Sequence, residues 1–405
     1  MKKIALVSLA AATTLFGAAY KIPENSINST ALSAAYIANA HGADASYHNP
    51  ANMAFEESHA LEADIIYIGL SGVDFSGNVG GVKMDGSSKS ESFIIPSLHY
   101  IAPKRGDITF GFSLVVPGGL SKRWDIQPAK SYAKEFTLEV VELNPTIAYK
   151  INDTFAIGGG LRIVHSSGLV QSQSTASRDM DGDSWDFGFN LALAYRPNKS
   201  WKFAATYRSN IDLTETGSAK LYFPDGADFN GKLHYSGDAA VTVPLPASLD
   251  LAVAYTFASD TTVEFVYGRT FWSAYSELDF EYERSIGALA PKFDDPIDKD
   301  WDDANAFRLG VTQVYEKWTA MAGVAYDETP IPEKTLNFEL PDSDAWIVSV
   351  GAKYAYDAHW SFGAALLLDT KESRTIDGGV NEVGIDGEFT DARAYLLAFG
   401  LDYRF

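Results

Sequence analysis

Long segments in which apolar and polar residues alternate constrain the fold of this 405-residue chain more than any other feature. The segments SWDFGFNLALAYRP, ARAYLLAFGLDYRF and KWTAMAGVAYD all show this pattern. In the first segment one face carries Trp185, Phe187, Phe189, Leu191, Leu193 and Tyr195. Period-two alternation predicts β-strands, and aromatic residues at both ends of the apolar face are typical of strands that cross an outer membrane.

Segment length and loop length distinguish a membrane barrel from a soluble β-sandwich. Sandwich strands are often five or six residues long, whereas these segments run for about ten residues or more, as a tilted membrane-crossing strand requires. Short turns alternate with long, acidic, glycine-rich loops, which are predicted at residues 72–90, 119–133, 168–182, 216–232, 273–301, 328–342 and 371–390. The sequence therefore predicts an all-β fold, a closed 14-stranded antiparallel transmembrane β-barrel.

The N-terminus carries the features of a secretory signal peptide. Lys2 and Lys3 precede a short apolar run at residues 4–16, and small residues follow up to Ala19. The apolar run is too short to be a membrane-spanning helix. We therefore predict a signal peptide at residues 1–19, with cleavage at or next to Ala19, and a mature protein in the bacterial outer membrane.

Composition excludes several classes of function. The chain has no cysteine, which excludes disulfides and thiolate chemistry. Its formal net charge of -21 argues against binding to nucleic acid, which needs a basic face. The histidines are scattered, and neither HExxH nor GxSxG is present. We predict no catalytic residue, no metal site and no cofactor, so the protein is not expected to be an enzyme.

Residues 20–58 form the sizeable part of the mature chain that lacks strand alternation. A barrel of fourteen strands leaves a wide lumen unless something fills it. Alanines at 31, 34, 35, 38 and 40 predict a short helix that ends at Gly42, and small side chains suit a narrow pore. We predict that residues 20–58 are a partly helical hatch inside a barrel formed by residues 59–405. The alternative is a loose N-terminal tail.

Several motifs, taken in order along the chain, resemble one family. These are Asn49-Pro50-Ala51, the segments IPSLHYIAP, TYRS and LPASLDLAVAY, and the loop YDETPIPEKTLNFELPDSDAW. The chain resembles the FadL family (OmpP1/FadL/TodX) of outer-membrane transporters of long-chain fatty acids and other hydrophobic compounds. The resemblance implies passive uptake through a plugged barrel: a ligand sits above the hatch and leaves sideways beside the Asn-Pro-Ala turn.

The resemblance and the strand alternation together suggest ligand-binding residues. Tyr20 resembles the family's aromatic residue that reaches into the pocket, with a disordered N-terminus as the alternative, and Lys299 resembles a headgroup-binding lysine. Alternation places Arg208 and Arg308 on the lumen face, where a cation suits a carboxylate. The alternative for each of the three cations is a salt bridge within the lumen. Asn49, Pro50 and Ala51 are predicted to hold the hatch in place.

One departure from the family leaves the ligand open. The family's headgroup arginine on strand five falls near Ser172, where the sequence has no basic residue. A hydrophobic compound other than a fatty acid therefore fits equally well. The expected partners are this small molecule, membrane lipid and lipopolysaccharide, and the expected state is a monomer. A general porin or a surface adhesin is the alternative function; a porin would have no plug.

Overall fold

Fourteen antiparallel strands form a closed barrel within residues 19–223 and 234–405, the residues described by the computed structural model. The strands are β1 (Ala60–Leu70), β2 (Glu91–Ile101), β3 (Ile108–Lys122), β4 (Glu135–Lys150), β5 (Phe155–Gln173), β6 (Ser177–Tyr195), β7 (Trp201–Arg208 and Ile211–Tyr222), β8 (His234–Leu245 and Ser248–Thr256), β9 (Thr261–Thr270), β10 (Ala304–Tyr315), β11 (Trp318–Asp327), β12 (Ala345–Ala355), β13 (Trp360–Lys371) and β14 (Arg393–Arg404). β1 pairs with β14 along its whole length, so the barrel closes without an exposed edge. The predicted fold class is confirmed. The predicted signal peptide, apart from Ala19, lies outside the described residues.

Short elements in the outer loops cover the mouth of the barrel. Strands Asp74–Val79, Val82–Ser87, Arg374–Ile376 and Ile385–Thr390 form a separate four-stranded sheet. Strands Glu277–Leu278 and Ile297–Asp298 pair with each other, and Phe280–Tyr282 pairs with β8. The loops also contain helices α3 (Lys130–Ala133) and α4 (Ala290–Phe293) and the 3-10 turns Trp272–Ala274 and Gly287–Leu289. No helix among the described residues is long and apolar enough to cross a membrane.

The alternation seen in the sequence corresponds to a lipid face and a lumen face. Trp185, Phe187 and Phe189 are 48–64% exposed on the outer face of β6. On β10, Phe307 and Leu309 are exposed while Arg308 is buried in the lumen, as predicted. Outward-facing apolar side chains place the hydrophobic band of the barrel against lipid.

The predicted loop at residues 168–182 is wrong. β5 continues to Gln173 and β6 begins at Ser177, so these strands extend beyond the membrane band and are joined by three residues. In this extension Val170 and Met180 are buried. Because the outer face meets water there, the apolar residues point inward, and the alternation has the opposite sense to that of the membrane-crossing part.

The N-terminal segment lies inside the barrel, and nearly all its residues from Ala19 to Ala54 are buried. It contains helices α1 (Ile27–Ala31) and α2 (Ala45–His48) and a 3-10 turn at Pro50–Phe55. The predicted alanine helix is largely wrong, because residues 32–40 are irregular and Ser33 and Ala34 have positive φ. The small side chains instead let this segment lie against the wall, where Glu264 accepts hydrogen bonds from the N–H groups of residues 37, 38 and 39.

Glycines on the lumen face allow the hatch to pack closely against the wall, and we call the contact at Gly323 and Gly351 the hatch seat. A Cβ atom at Gly323 would lie 2.2 Å from the carbonyl carbon of Leu32, and one at Gly351 would lie 2.5 Å from the Cβ of Ala31. The hatch backbone therefore approaches β11 and β12 more closely than any side chain would allow.

Replacing the glycine at this seat should displace the hatch. For Gly323→Ala we expect higher ion conductance in planar bilayers and a loss of about 1–3 kcal/mol in the free energy of unfolding, the usual cost of overpacking. Ala322→Leu is the control, because Ala322 is exposed to lipid on the same strand. Conductance of Gly323→Ala equal to that of the unmodified protein would contradict this account of the seat.

Candidate functional site

An apolar cavity lies near the outer end of the lumen, between the hatch and the loops that cover the mouth. Its volume is about 30 Å³. Most of its walls are apolar, and they are formed by Tyr20, Leu120, Phe136, Leu138, Val170, Val241, Val243, Tyr275, Leu278, Trp301 and Leu340, with Thr137, Gly168, Glu215, Lys299 and Glu339 as the remaining lining residues. We call this space the upper cavity. A lining of this composition suits an apolar group.

Tyr20 lies at the wall of the upper cavity. Its ring packs on those of Trp272 and Trp301, with centroid distances of 4.7 and 6.0 Å. Its hydroxyl donates to the carbonyl oxygen of Pro244 on β8. Burial raises the pKa of this hydroxyl, so Tyr20 serves as an uncharged hydrogen-bond donor that anchors the start of the hatch.

Lys299 also faces the upper cavity, where it forms an ion pair with Glu339. Both residues come from outer loops. The hydroxyl of Thr335 donates to the carbonyl oxygen of Lys299, and this contact joins the two loops at 2.5 Å. Lys299 is 3% exposed, so its charge lies in a surrounding that is otherwise largely apolar. An anionic headgroup bound here would share or replace the carboxylate of Glu339.

The loop at residues 328–342 places Glu339 by inserting next to it a fully buried phenylalanine. Phe338 packs against Phe75, Trp124 and Phe389, and its carbonyl oxygen accepts a hydrogen bond of 2.9 Å from the indole of Trp124. The aspartate of the loop's Pro-Asp turn, Asp342, pairs with Lys371 at 2.5 Å. This loop belongs to the segment YDETPIPEKTLNFELPDSDAW, one of the motifs that resemble the family, and it lies at the barrel mouth beside the upper cavity.

A second space, the lower cavity, lies deeper in the lumen and has a volume of about 60 Å³. Its charged lining residues are Lys21, Arg162, Arg208, Asp250 and Arg308. The structure therefore separates the predicted ligand residues: Tyr20 and Lys299 line the upper cavity, and Arg208 and Arg308 line the lower one.

The predicted arginines of the lower cavity have carboxylate partners, as the alternative interpretation requires. Arg308 donates to Asp327 at 2.9 Å. Arg208 donates to Glu142 at 3.3 Å and to the carbonyl oxygen of Tyr47 in the hatch at 2.6 Å, and it stacks over the Tyr47 ring. These contacts tie the hatch to the wall.

Residues 20–22 separate the two cavities, and we call them the strap. The backbone of Lys21 forms an isolated antiparallel β-bridge with Gly118 of β3. Two backbone hydrogen bonds of 2.9 Å flank it: the N–H of Ile22 donates to the carbonyl oxygen of Pro117, and the N–H of Gly119 donates to the carbonyl oxygen of Tyr20. Tyr20 faces the upper cavity, whereas Lys21 and Ile22 face the lower one.

The strap pairs with a part of β3 that β2 does not reach. In the described residues, the pairing of β2 with β3 covers four positions, from Leu98 with Leu114 to Ile101 with Gly111. On its other side β3 is irregular, with a shift of register against β4 between Val115 and Gly118. The N–H of Val116, within this bulge, donates to the side chain of Asn25 in the hatch at 3.2 Å.

The Asn-Pro-Ala turn is packed against the wall at its lower end. The Asn49 side chain accepts from the N–H of Ala51 at 3.1 Å and donates to the carbonyl of Ile37 at 3.0 Å. A Cβ atom at Gly158 on β5 would lie 2.5 Å from the nitrogen of Ala51, and Pro50 begins the 3-10 turn that follows Asn49. The motif is thus a rigid corner in close contact with the wall.

Sequence reasoning missed several charged residues near these sites. The position of Ser172 lacks a basic residue on β5, but Arg178 of β6 lies directly opposite in the register and stacks on Phe280 and Phe293. Arg162 is buried against Glu142 at 2.9 Å. Alternation identifies Arg162 as facing the lumen, whereas cross-strand partners depend on register, which a single sequence does not supply.

Comparisons with known proteins agree with this architecture. The long-chain fatty acid transport protein of Escherichia coli O6:H1 is 25% identical over 88% of this chain and 87% of its own. Outer membrane protein P1 of Haemophilus influenzae is 24% identical over 99% and 98% of the two chains. The structure of a Pseudomonas aeruginosa FadL homologue matches with a TM-score of 0.84 at 20% identity, covering 96% of this chain and 99% of that one. The Pseudomonas putida toluene transporter TodX matches with a TM-score of 0.70 at 15% identity, over 94% and 98% of the chains.

The model of one family extends over residues 8–405, which is nearly the whole chain. Members of this family are transport channels of the outer membrane and not enzymes. The chain belongs to the family of outer membrane protein transport proteins known as OMPP1/FadL/TodX, and the resemblance inferred from its motifs is confirmed.

Proposed function

We propose that the protein takes up long-chain fatty acids or similar hydrophobic compounds passively, through a barrel gated by its hatch. The observation that carries this proposal is the upper cavity, an apolar space that holds the ion pair of Lys299 and Glu339. Burial of a tail contributes roughly 0.8 kcal/mol per methylene, which a water-filled pore does not offer. A charged group at one end of an apolar cavity suits an amphiphile.

Relatives support two kinds of ligand. The Escherichia coli relative is named a transporter of long-chain fatty acids, and the Pseudomonas putida structure is that of a toluene transporter. The ion pair of Lys299 favours the fatty acid as ligand. A fatty-acid headgroup is a carboxylate, as is the Glu339 side chain with which Lys299 already pairs. Tyr20 contributes its ring to the cavity wall.

In the proposed path the ligand leaves sideways through the wall between β2 and β3. The short pairing of these strands and the bulge in β3 support this exit. Asn49, Pro50 and Ala51 keep the hatch closed by their contact with Gly158, and Arg208 and Arg308 lie beside the path. The protein acts as a monomer surrounded by membrane lipid and lipopolysaccharide.

Substitution of Lys299 tests the headgroup site. A charge-assisted hydrogen bond contributes about 1.5–3 kcal/mol, so Lys299→Ala should weaken the binding of hexadecanoate by about tenfold or more. Binding of hexadecane, which has no headgroup, should stay unchanged. Isothermal titration of the purified protein in detergent measures both.

Glu339→Gln is the matched variant, because it removes the competing carboxylate and keeps the size of the side chain. It should tighten the binding of hexadecanoate without affecting hexadecane. Equal affinities of both ligands for the unmodified protein and both variants would show that the headgroup assignment is wrong and that the cavity recognises apolar surface alone.

Deletion of residues 20–58 tests the hatch as the barrier. The truncated barrel should pass ions in planar bilayers because the lumen is then filled with water, whereas the full protein should stay closed. Resistance of the truncated protein to unfolding in detergent shows independently that its barrel has folded. If the truncated barrel folds and its conductance remains as low as that of the full protein, the hatch is not the barrier.

A further inference from the structure

The lower cavity has a charge pattern that the proposed headgroup site does not use. Among its described lining residues, four cations face one carboxylate, Asp250. Two of the cations, Arg162 and Arg208, share a single partner, Glu142, whose carboxylate accepts from both at 2.9 and 3.3 Å. Arg308 pairs with Asp327, so these four cations have three carboxylates, Asp250, Glu142 and Asp327, around them.

Lys21 is the least compensated of these cations. Its Nζ atom donates to the hydroxyl of Thr270 at 3.3 Å, and within the described part of the chain it forms no ion pair. Burial has the largest effect on the pKa of this ammonium group and lowers it, whereas the nearby carboxylates of Asp250 and Asp327 act in the opposite direction without cancelling the shift. A nearby anion would stabilise it.

The remaining walls of the lower cavity are suited to more than a simple ion. Ile22, Ile37, Pro117 and Leu245 line it beside the charged groups. An amphiphile could place its carboxylate near Lys21 and the first carbons of its tail against these side chains.

We propose that the lower cavity is a second binding site for the carboxylate headgroup of an amphiphile, with Lys21 and Arg308 as its principal cations. This proposal rests on the proposed function, since it places a second station on the path of the same ligand. The strap holds Tyr20 at the upper cavity and Lys21 at the lower one. A headgroup that dissociates from Lys299 and passes the strap can therefore bind to Lys21.

The position of the lower cavity suits a binding site that the ligand occupies before it leaves between β2 and β3. Pro117, which lines it, lies in the bulged part of β3 that β2 does not pair with. A carboxylate crossing from the upper cavity to the wall without a cation nearby would pay a large desolvation cost. The second site reduces that cost by keeping the headgroup paired along the way.

Crystals of the full protein grown with 2-bromohexadecanoate test the proposal, because the bromine next to the carboxylate is located by its anomalous scattering. We expect one bromine peak beside Lys299 and another beside Lys21. Lys21→Met should abolish the lower peak and leave the upper one, whereas Lys21→Arg, which keeps the charge, should retain both. Retention of the barrel fold is read from the same crystals.

The outcomes separate this proposal from the one on which it rests. A peak in the upper cavity alone, or a lower peak that persists in Lys21→Met, overturns the second site and leaves the proposed function standing. The cations of the lower cavity would then serve to hold the hatch. Absence of bromine from both cavities overturns the second site and also removes the support for carboxylate transport.

Discussion

Backbone groups inside a membrane must find hydrogen-bond partners within the protein, and this requirement governs the relation between hatch and wall. β3 separates from β2 after four pairs and bulges at Val115–Gly118. The hatch supplies the missing partners: Ile22 and Asn25 bond to the backbone of Pro117 and Val116. The segment that fills the lumen therefore also completes the wall, and a movement of the strap changes both at once.

The charges of the lumen have a structural role beside the proposed binding role. Arg208 holds the carbonyl of Tyr47, and Glu264 holds three consecutive N–H groups of the hatch. Burial raises the pKa of Glu24 in the hatch to about 8, which leaves this carboxyl largely uncharged at neutral pH and spares the lumen a further negative charge. Because Lys299 and the lumen arginines are already paired, an anionic ligand that binds them must exchange with protein carboxylates, and such exchange favours reversible binding over tight capture.

The membrane-crossing part of the fold was predictable because lipid imposes one sense of alternation on every strand. The predictions failed where no lipid contacts the chain. The predicted loop at residues 168–182 is instead strand, because β5 ends only at Gln173 and β6 begins at Ser177. The predicted alanine helix is irregular, because its shape depends on the wall against which it packs. Alternation placed Arg208 and Arg308 in the lumen correctly. It could not place Arg178 opposite Ser172 or Glu339 beside Lys299, since these contacts depend on strand register and on loops separated by 40 residues.

The four-stranded outer sheet has a consequence for the biogenesis of the barrel. Its strands Asp74–Val79 and Ile385–Thr390 pair with each other, and they belong to the loops that follow β1 and precede β14. These two loops are distant in sequence and become neighbours when the first and last strands meet. Contacts of such large sequence separation form late. The pairing of these two loop strands therefore depends on the closed seam between β1 and β14, and a barrel with an open seam would lack this part of the cover over its mouth.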